Sequence, residues 1–259
     1  MESQSLQTLA TCRLNETARD NQMLTATQLA SEKERIKAAY AHREIKVDKR
    51  LYSYFDHGRL FMMQERERQV LTLLREHKRH ALGKQKILEV GCGDGQILRE
   101  LIKWGAQPEN LAGVDLLPDQ IGEARRLCPG SVALHCVNAV DLPFPDAAYD
   151  LVVQVTAFSS VLDFGVKQHM GREMVRVLKP DGAILWHDFF FNNPRNSDVR
   201  GIGLEEIRRL FPDCIVAAQR MTLAPPLTRL VAPLSWSLCY FLARLRLFNT
   251  HYLGLIFRK

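Results

Sequence analysis

Between Lys86 and Asp188 the chain alternates short apolar runs with stretches whose apolar residues recur every three or four positions. The runs Ile87–Val90, Leu111–Asp115, 132–137, 150–155 and 183–188 predict strands, and the segments 96–104, Pro118–Leu127 and 166–178 predict helices. This order of strand and helix is that of βαβ units feeding a parallel sheet, hence an α/β fold. Leu151-Val-Val-Gln-Val155 is apolar almost throughout, as expected of a strand covered on both faces. Ahead of this core lie a polar arm of some thirty residues, a charged helix over 32–50 and a second helix over 57–80. The second helix carries Leu60, Phe61, Met63, Val70, Leu71 and Leu74 at helical spacing. After Asp188 come a loop over 192–200, a short helix ending at Leu210, a sixth strand over 215–220 and a proline-interrupted insertion with a helix over 232–245. A closing strand over 252–257 ends the pattern.

The 259 residues suffice for a sizeable core, and their 46% apolar and 25% charged content excludes a disordered or fibrous chain. A net charge of +6 favours anionic partners without requiring nucleic acid. The excess is uneven: residues 221–259 hold Arg229, Arg244, Arg246, Arg258 and Lys259 and no acid, among several aromatic residues. Such a segment suits a phospholipid headgroup layer or a phosphorylated substrate, and equally a core helix and strand with snorkelling arginines. Six cysteines without C-x-x-C spacing, and an N-terminus without a signal-peptide pattern, point to a cytoplasmic protein. The longest apolar run, 230–243, is broken by Pro233 and falls short of the roughly 20 residues that span a bilayer.

The chemistry concentrates in Ile87-Leu-Glu-Val-Gly-Cys-Gly-Asp-Gly95, a strand that runs into a glycine-rich turn and a helix. Glycines there let the backbone turn sharply and approach a ligand at the carboxyl end of a strand. Asp115 ends the next strand and is placed to accept hydrogen bonds from ribose hydroxyls. A dinucleotide fold reads G-x-G-x-x-G, whereas this turn is G-x-G-x-G with Glu89 two residues ahead of it. An acid at that point repels phosphate and attracts an ammonium or sulfonium group. A cofactor with a ribose, a positive charge and no pyrophosphate is S-adenosylmethionine.

These landmarks, ILEVGCGDG, GVDLLPDQI, VNAVDLPFPDAAYDLVV and REMVRVLKPDGAILWHD in this order, resemble the class I S-adenosylmethionine-dependent methyltransferases, most closely the branch of quinone C-methyltransferases and small-molecule O-methyltransferases. The resemblance covers Lys86 to Asp188. It implies a Rossmann-like sheet of seven mostly parallel strands with the last antiparallel, helices on both faces and a helical cap. It implies that Glu89, Gly91, Cys92, Gly93 and Gly95 hold the methionine portion of the cofactor, and Asp115 and Leu116 the ribose and one adenine face. Asn138 and Ala139 stand where many relatives carry Asp-Ala, and Asn138 retains an acceptor for the adenine amino group. Gln154 and Val155 are expected to border the methyl-donor pocket.

The expected organisation is an N-terminal arm with lid helices over 1–80 and a catalytic core over 81–259, with a substrate cap inserted at about 222–249. A hydroxyl acceptor needs a base, for which the candidates are His187 and Asp188 at the end of the fifth strand and Asp163 after the fourth. Each has a plainer alternative: a satisfied core histidine, a strand-end acid, a helix cap. The chain lacks an Asn/Asp-Pro-Pro-aromatic tetrapeptide after the fourth strand, an RNA-binding signature and zinc-ligand spacing, so neither nucleic acid nor a metal is expected. The segments NPRNSDVRGIG, MTLAPPL and HYLGLI resemble a tail of bacterial methyltransferases of glycan and specialised-metabolite assembly. The function expected is O-methylation of a sugar, glycosylated or lipid-linked small molecule, with peripheral contact to a membrane or lipid-linked substrate. The alternatives are C-methylation of a quinone-like ring, a non-catalytic cofactor-binding module and, disfavoured by the short glycine turn, an NAD-dependent oxidoreductase.

Overall fold

A computed structural model describes residues 24–46, 53–192 and 196–259. Residues 1–23 of the expected polar arm, Cys12 among them, and the Asn193-Pro194-Arg195 stretch lie outside the described residues.

Seven strands form one sheet: β1 (Ile87–Val90), β2 (Leu111–Asp115), β3 (Ala133–Cys136), β4 (Tyr149–Val155), β5 (Leu178–Phe189), β6 (Cys214–Leu223) and β7 (Asn249–Arg258). Their order is β3-β2-β1-β4-β5-β7-β6. The strands from β3 to β5 pair in parallel, and β7 runs antiparallel to both β5 and β6. This is the seven-stranded sheet that the motif order implies.

All four residues of β1 are buried because helices cover both faces of the sheet. Alternate strand positions feed two separate cores. One gathers Leu88, Val90, Val152, Ile184 and Trp186. The other gathers Ile87, Val153, Leu185 and Leu255. A third, smaller cluster joins Phe61 to Leu223, Val231, Cys239 and Ala243.

The helices are α1 (Ala26–Lys46), α2 (His57–Glu76), α3 (Gln96–Lys103), α4 (Pro118–Leu127), α5 (Phe164–Val177), α6 (Leu204–Leu210), α7 (Pro225–Val231) and α8 (Trp236–Leu245). α1 starts six residues before the expected 32–50 helix. Thr25 and Gln28 cap each other's end of the first turn, with the Gln28 amide donating to Thr25 Oγ1 at 3.2 Å and the Thr25 amide donating to Gln28 Oε1 at 3.0 Å. The helix expected over 232–245 begins four residues later, as α8, and a further helix, α7, precedes the expected range. Pro225 and Pro226 open α7, where a missing N–H costs nothing, and Ser235 caps α8 by accepting from the Leu238 amide. β5 begins five residues before the expected strand, since Leu178 already pairs with Tyr149 across an irregular register.

Candidate functional site

One large pocket, of about 530 Å³, opens at the carboxyl ends of β1, β2, β4 and β5, where open α/β sheets bind ligands. Its volume lies within the roughly 300–1,000 Å³ of small-molecule sites. The helices α1, α2 and α7 wall its outer side through Ile36 and Tyr40, Met63 and Arg66, and Pro225 and Arg229.

The inner wall is the turn after β1. Gly91, Gly93 and Gly95 have φ of 74°, 52° and 77°, the left-handed region that side chains disfavour. At Gly91 a Cβ would also stand 2.5 Å from that of Ala157, so the turn admits no side chain there. β2 fixes the turn from the side: Val114 O accepts from the amides of Gly91 and Cys92 at 2.8 and 3.0 Å. Asp115 Oδ2 accepts from the Gly93 amide and its Oδ1 from the Leu117 amide, both at 2.9 Å. Burial pushes the Asp115 carboxyl above its usual range, an effect its backbone hydrogen bonds oppose.

Glu89 is buried, with Oε2 making no hydrogen bond to any described residue. Burial pushes its carboxyl well up, and the nearby acids Asp115 and Glu100 push it further. Arg66 opposes this only in part, since its guanidinium is committed to Glu100 at 2.6 and 2.8 Å.

Of the cofactor residues expected from the sequence, Glu89, Gly91, Cys92, Gly93, Asp115, Leu116, Asn138, Ala139 and Val155 line the pocket. Two do not. Gly95 begins α3 against Cys128, whose Sγ a Cβ would meet at 2.5 Å. Gln154 is fully buried and accepts from the Ala157 amide at 3.2 Å, so it supports the wall from behind.

The three base candidates separate. His187 lines the pocket, buried, with neither ring nitrogen bonded to a described residue. Asp188 points to the other face of the sheet, as alternation along a strand requires, and accepts from the amides of Ser159 (3.1 Å) and Phe189 (2.9 Å). Burial pushes it up to about 7. Asp163 lies outside the pocket and caps α5, accepting from the Val166 amide at 2.9 Å. The plainer reading of Asp163 describes its place. His57 lies in the first turn of α2, which Asp56 caps, and is not in the pocket wall.

The pocket also holds residues that the sequence did not single out. His251 of β7 stacks on His187, with ring centroids 5.0 Å apart and planes at 11°. Burial, the neighbouring His251 and Arg66 push His187 well below the usual imidazole range; burial and Arg66 push His251 down to about 4. Burial thus favours the neutral form of both rings. Thr156 and Thr222 line the pocket with φ of 56° and 64°, strained for β-branched residues, and the buried Thr222 hydroxyl has no partner among the described residues. The signal for His251 was a polar residue on the same strand face as Leu253 and Leu255; nothing in the linear pattern marked the threonines. Among the described residues no group of His, Cys, Asp and Glu is arranged to hold a metal ion.

Residues 87–182 match the protein family described as Methyltransferase domain. That stretch is a methyltransferase domain. The chain is 29% identical over 148 residues to a demethylmenaquinone methyltransferase of Tropheryma whipplei, covering 53% of this chain and 58% of that protein. It is 36% identical over 106 residues to a fatty-acid O-methyltransferase of Mycolicibacterium smegmatis, covering 40% and 37%. The matched stretch thus spans little more than half of the first of these relatives and less of the second. The fold is also that of an S-adenosylmethionine-dependent methyltransferase from Mesorhizobium loti, with a TM-score of 0.52 at 15% identity over 69% of this chain and 93% of that one.

The pocket of this methyltransferase domain fits S-adenosylmethionine. The glycines of the turn leave room against the backbone, the orphaned Glu89 oxygen suits an ammonium group, and Asp115 retains acceptor capacity for ribose hydroxyls.

Proposed function

We propose that the protein is an S-adenosylmethionine-dependent methyltransferase that methylates a hydroxyl of a small-molecule acceptor: a sugar, a glycosylated compound or a lipid-linked one. The observation that carries this reading is Glu89, a buried carboxylate with an unpartnered oxygen at the glycine turn. Desolvating it is costly unless a cation arrives, and the amino group of the cofactor is such a cation. Glu89, Gly91, Cys92 and Gly93 hold the methionine portion, Asp115 and Leu116 the ribose, and Asn138 and Ala139 border the adenine. Gly95 and Gln154 shape the turn and its backing.

The bound cofactor supplies an electrophilic methyl group on sulfur. What the chain adds is alignment, exclusion of water and a proton acceptor. His187 is the base: being neutral, it takes the proton of the acceptor hydroxyl on a ring nitrogen as the oxygen attacks. His251 stacks on it and holds the ring in place. Asp188 and Asp163, turned to other partners, serve the fold. The unpartnered Thr222 hydroxyl and Arg229 Nε favour an acceptor with polar, anionic decoration such as phosphate.

Likeness to a demethylmenaquinone methyltransferase supports a second reading, C-methylation of a quinone-like ring. Calorimetry with S-adenosylmethionine, S-adenosylhomocysteine and NAD tests the cofactor; micromolar binding of the first two alone is the expected outcome, and binding of NAD alone refutes it. Transfer of a labelled methyl group to sugars, lipid-linked sugars and quinones then separates the acceptors.

A further inference from the structure

Burial consumes only one side of α8. Cys239 and Ala243 pack inward with Phe61, Val231 and Ala232. On the opposite side Leu238, Phe241 and Leu245, spaced as one helical stripe, are large apolar residues left exposed, Phe241 to 60%. The turns at either end extend the surface through Leu234, 82% exposed, and Leu247, 73% exposed.

The surface continues onto a second element. Gly58 sits so close to α7 that a Cβ on it would meet the Cα of Arg229 at 2.9 Å. The segment preceding α2, with Phe55 almost fully exposed, therefore stands beside α7, whose Leu230 is also exposed.

A stripe of large apolar side chains on a helix calls for a cover, and the described residues leave this stripe of α8 about half exposed. The charges of the helix say what covers it. Arg244 and Arg246 are exposed at its end, and residues 221–259 contain no acid. We propose that the α7–α8 face docks on an anionic lipid bilayer, its leucines and phenylalanines entering the acyl boundary and the two arginines meeting phosphate headgroups. A second copy fits worse. Two-fold pairing on this face would set the same arginines against each other with no carboxylate from this segment between them. The far side of α7 lines the pocket through Pro225 and Arg229, so docking brings a pocket wall to the lipid surface. The docking itself does not depend on the methyl transfer.

The test is flotation of the full chain with vesicles of phosphatidylcholine alone and with added phosphatidylglycerol. Binding to the mixed vesicles is expected. The double variant Leu238→Asp/Phe241→Asp should lose at least about tenfold in vesicle affinity. Arg244→Gln/Arg246→Gln should lose the preference for phosphatidylglycerol. Leu247→Asp, in an exposed turn, repeats the apolar test without altering a helix. Thermal melts and calorimetric S-adenosylmethionine binding unchanged from the parent show that the fold and pocket persist. A parent chain that does not float with anionic vesicles overturns the proposal, as does undiminished flotation of both aspartate variants. So does a lipid-free dimer that Leu238→Asp/Phe241→Asp dissociates, which would give the face to a second copy. Vesicle binding without cofactor binding would leave the docking intact and remove the methyltransferase reading.

Discussion

Glu89 is a buried carboxyl group with one oxygen left unpartnered by the described residues, and its chemistry follows from that. Its raised pKa means that a cationic ligand must bind the ionised form, so binding releases a proton. Affinity for S-adenosylmethionine should therefore rise as pH increases from the usual carboxylate range upward. Glu89→Gln should bind about 10- to 100-fold more weakly, as loss of a hydrogen bond to a charged group implies, with a flatter pH dependence; calorimetry across pH reads both. His187→Gln should lower kcat about 100-fold or more while leaving cofactor affinity unchanged, as removal of a general base does. Full retention of kcat would favour the carbon acceptor. Asp188 couples to stability instead. Its folded-state pKa of about 7 lies above the usual 3.8, so folded protein holds the proton more tightly. The stability this contributes is present in full below about 4 and is lost as pH rises through about 7. Asp188→Asn should flatten that decline in thermal melts followed between those values.

At the scale of elements, β1, β2 and α4 were legible to the residue because their signals are local: an apolar run, a glycine turn, a proline at a helix start. The glycine turn and Asp115 could be read for the same reason. The start of α1 was missed although Thr25 and Gln28 carry the capping pattern, since the polar sequence before Glu32 gives no apolar stripe. His251 carried only the faint signal of a polar residue on an apolar strand face and Thr222 none, because both enter the pocket only through the pairing of β5, β7 and β6, which brings together residues far apart in the chain. That pairing has its own tight point. A Cβ on Gly254 would come within 2.3 Å of the Ala217 carbonyl oxygen. Gly254→Ala should destabilise the protein by about 1–3 kcal/mol, a fall of roughly 2–4 °C in Tm for each kcal/mol, in a thermal melt.

For the molecule as a whole, the pocket is closed by segments that the sheet does not contain. α1 is tied on by Arg35, which bonds Glu32, the Ser160 carbonyl and, at 3.2 Å, the Asp198 carbonyl, while Glu32 accepts from the Leu162 amide at 2.6 Å. Arg35→Ala should loosen this wall and raise KM for the acceptor several-fold with a smaller change in kcat, as loss of about 1–2 kcal/mol of anchoring implies. The order of the strands carries a further consequence. β7, seventh of the strands in chain order, lies between β5 and β6 and brings His251 to the pocket. Until β7 is in place, β6 has no strand to pair with and β5 keeps a bare edge. A folding chain can thus bury its glycine turn early, but it completes the pocket wall only when β7 docks. A chain that lost β7 would expose two sticky strand edges to the chaperones and proteases around it.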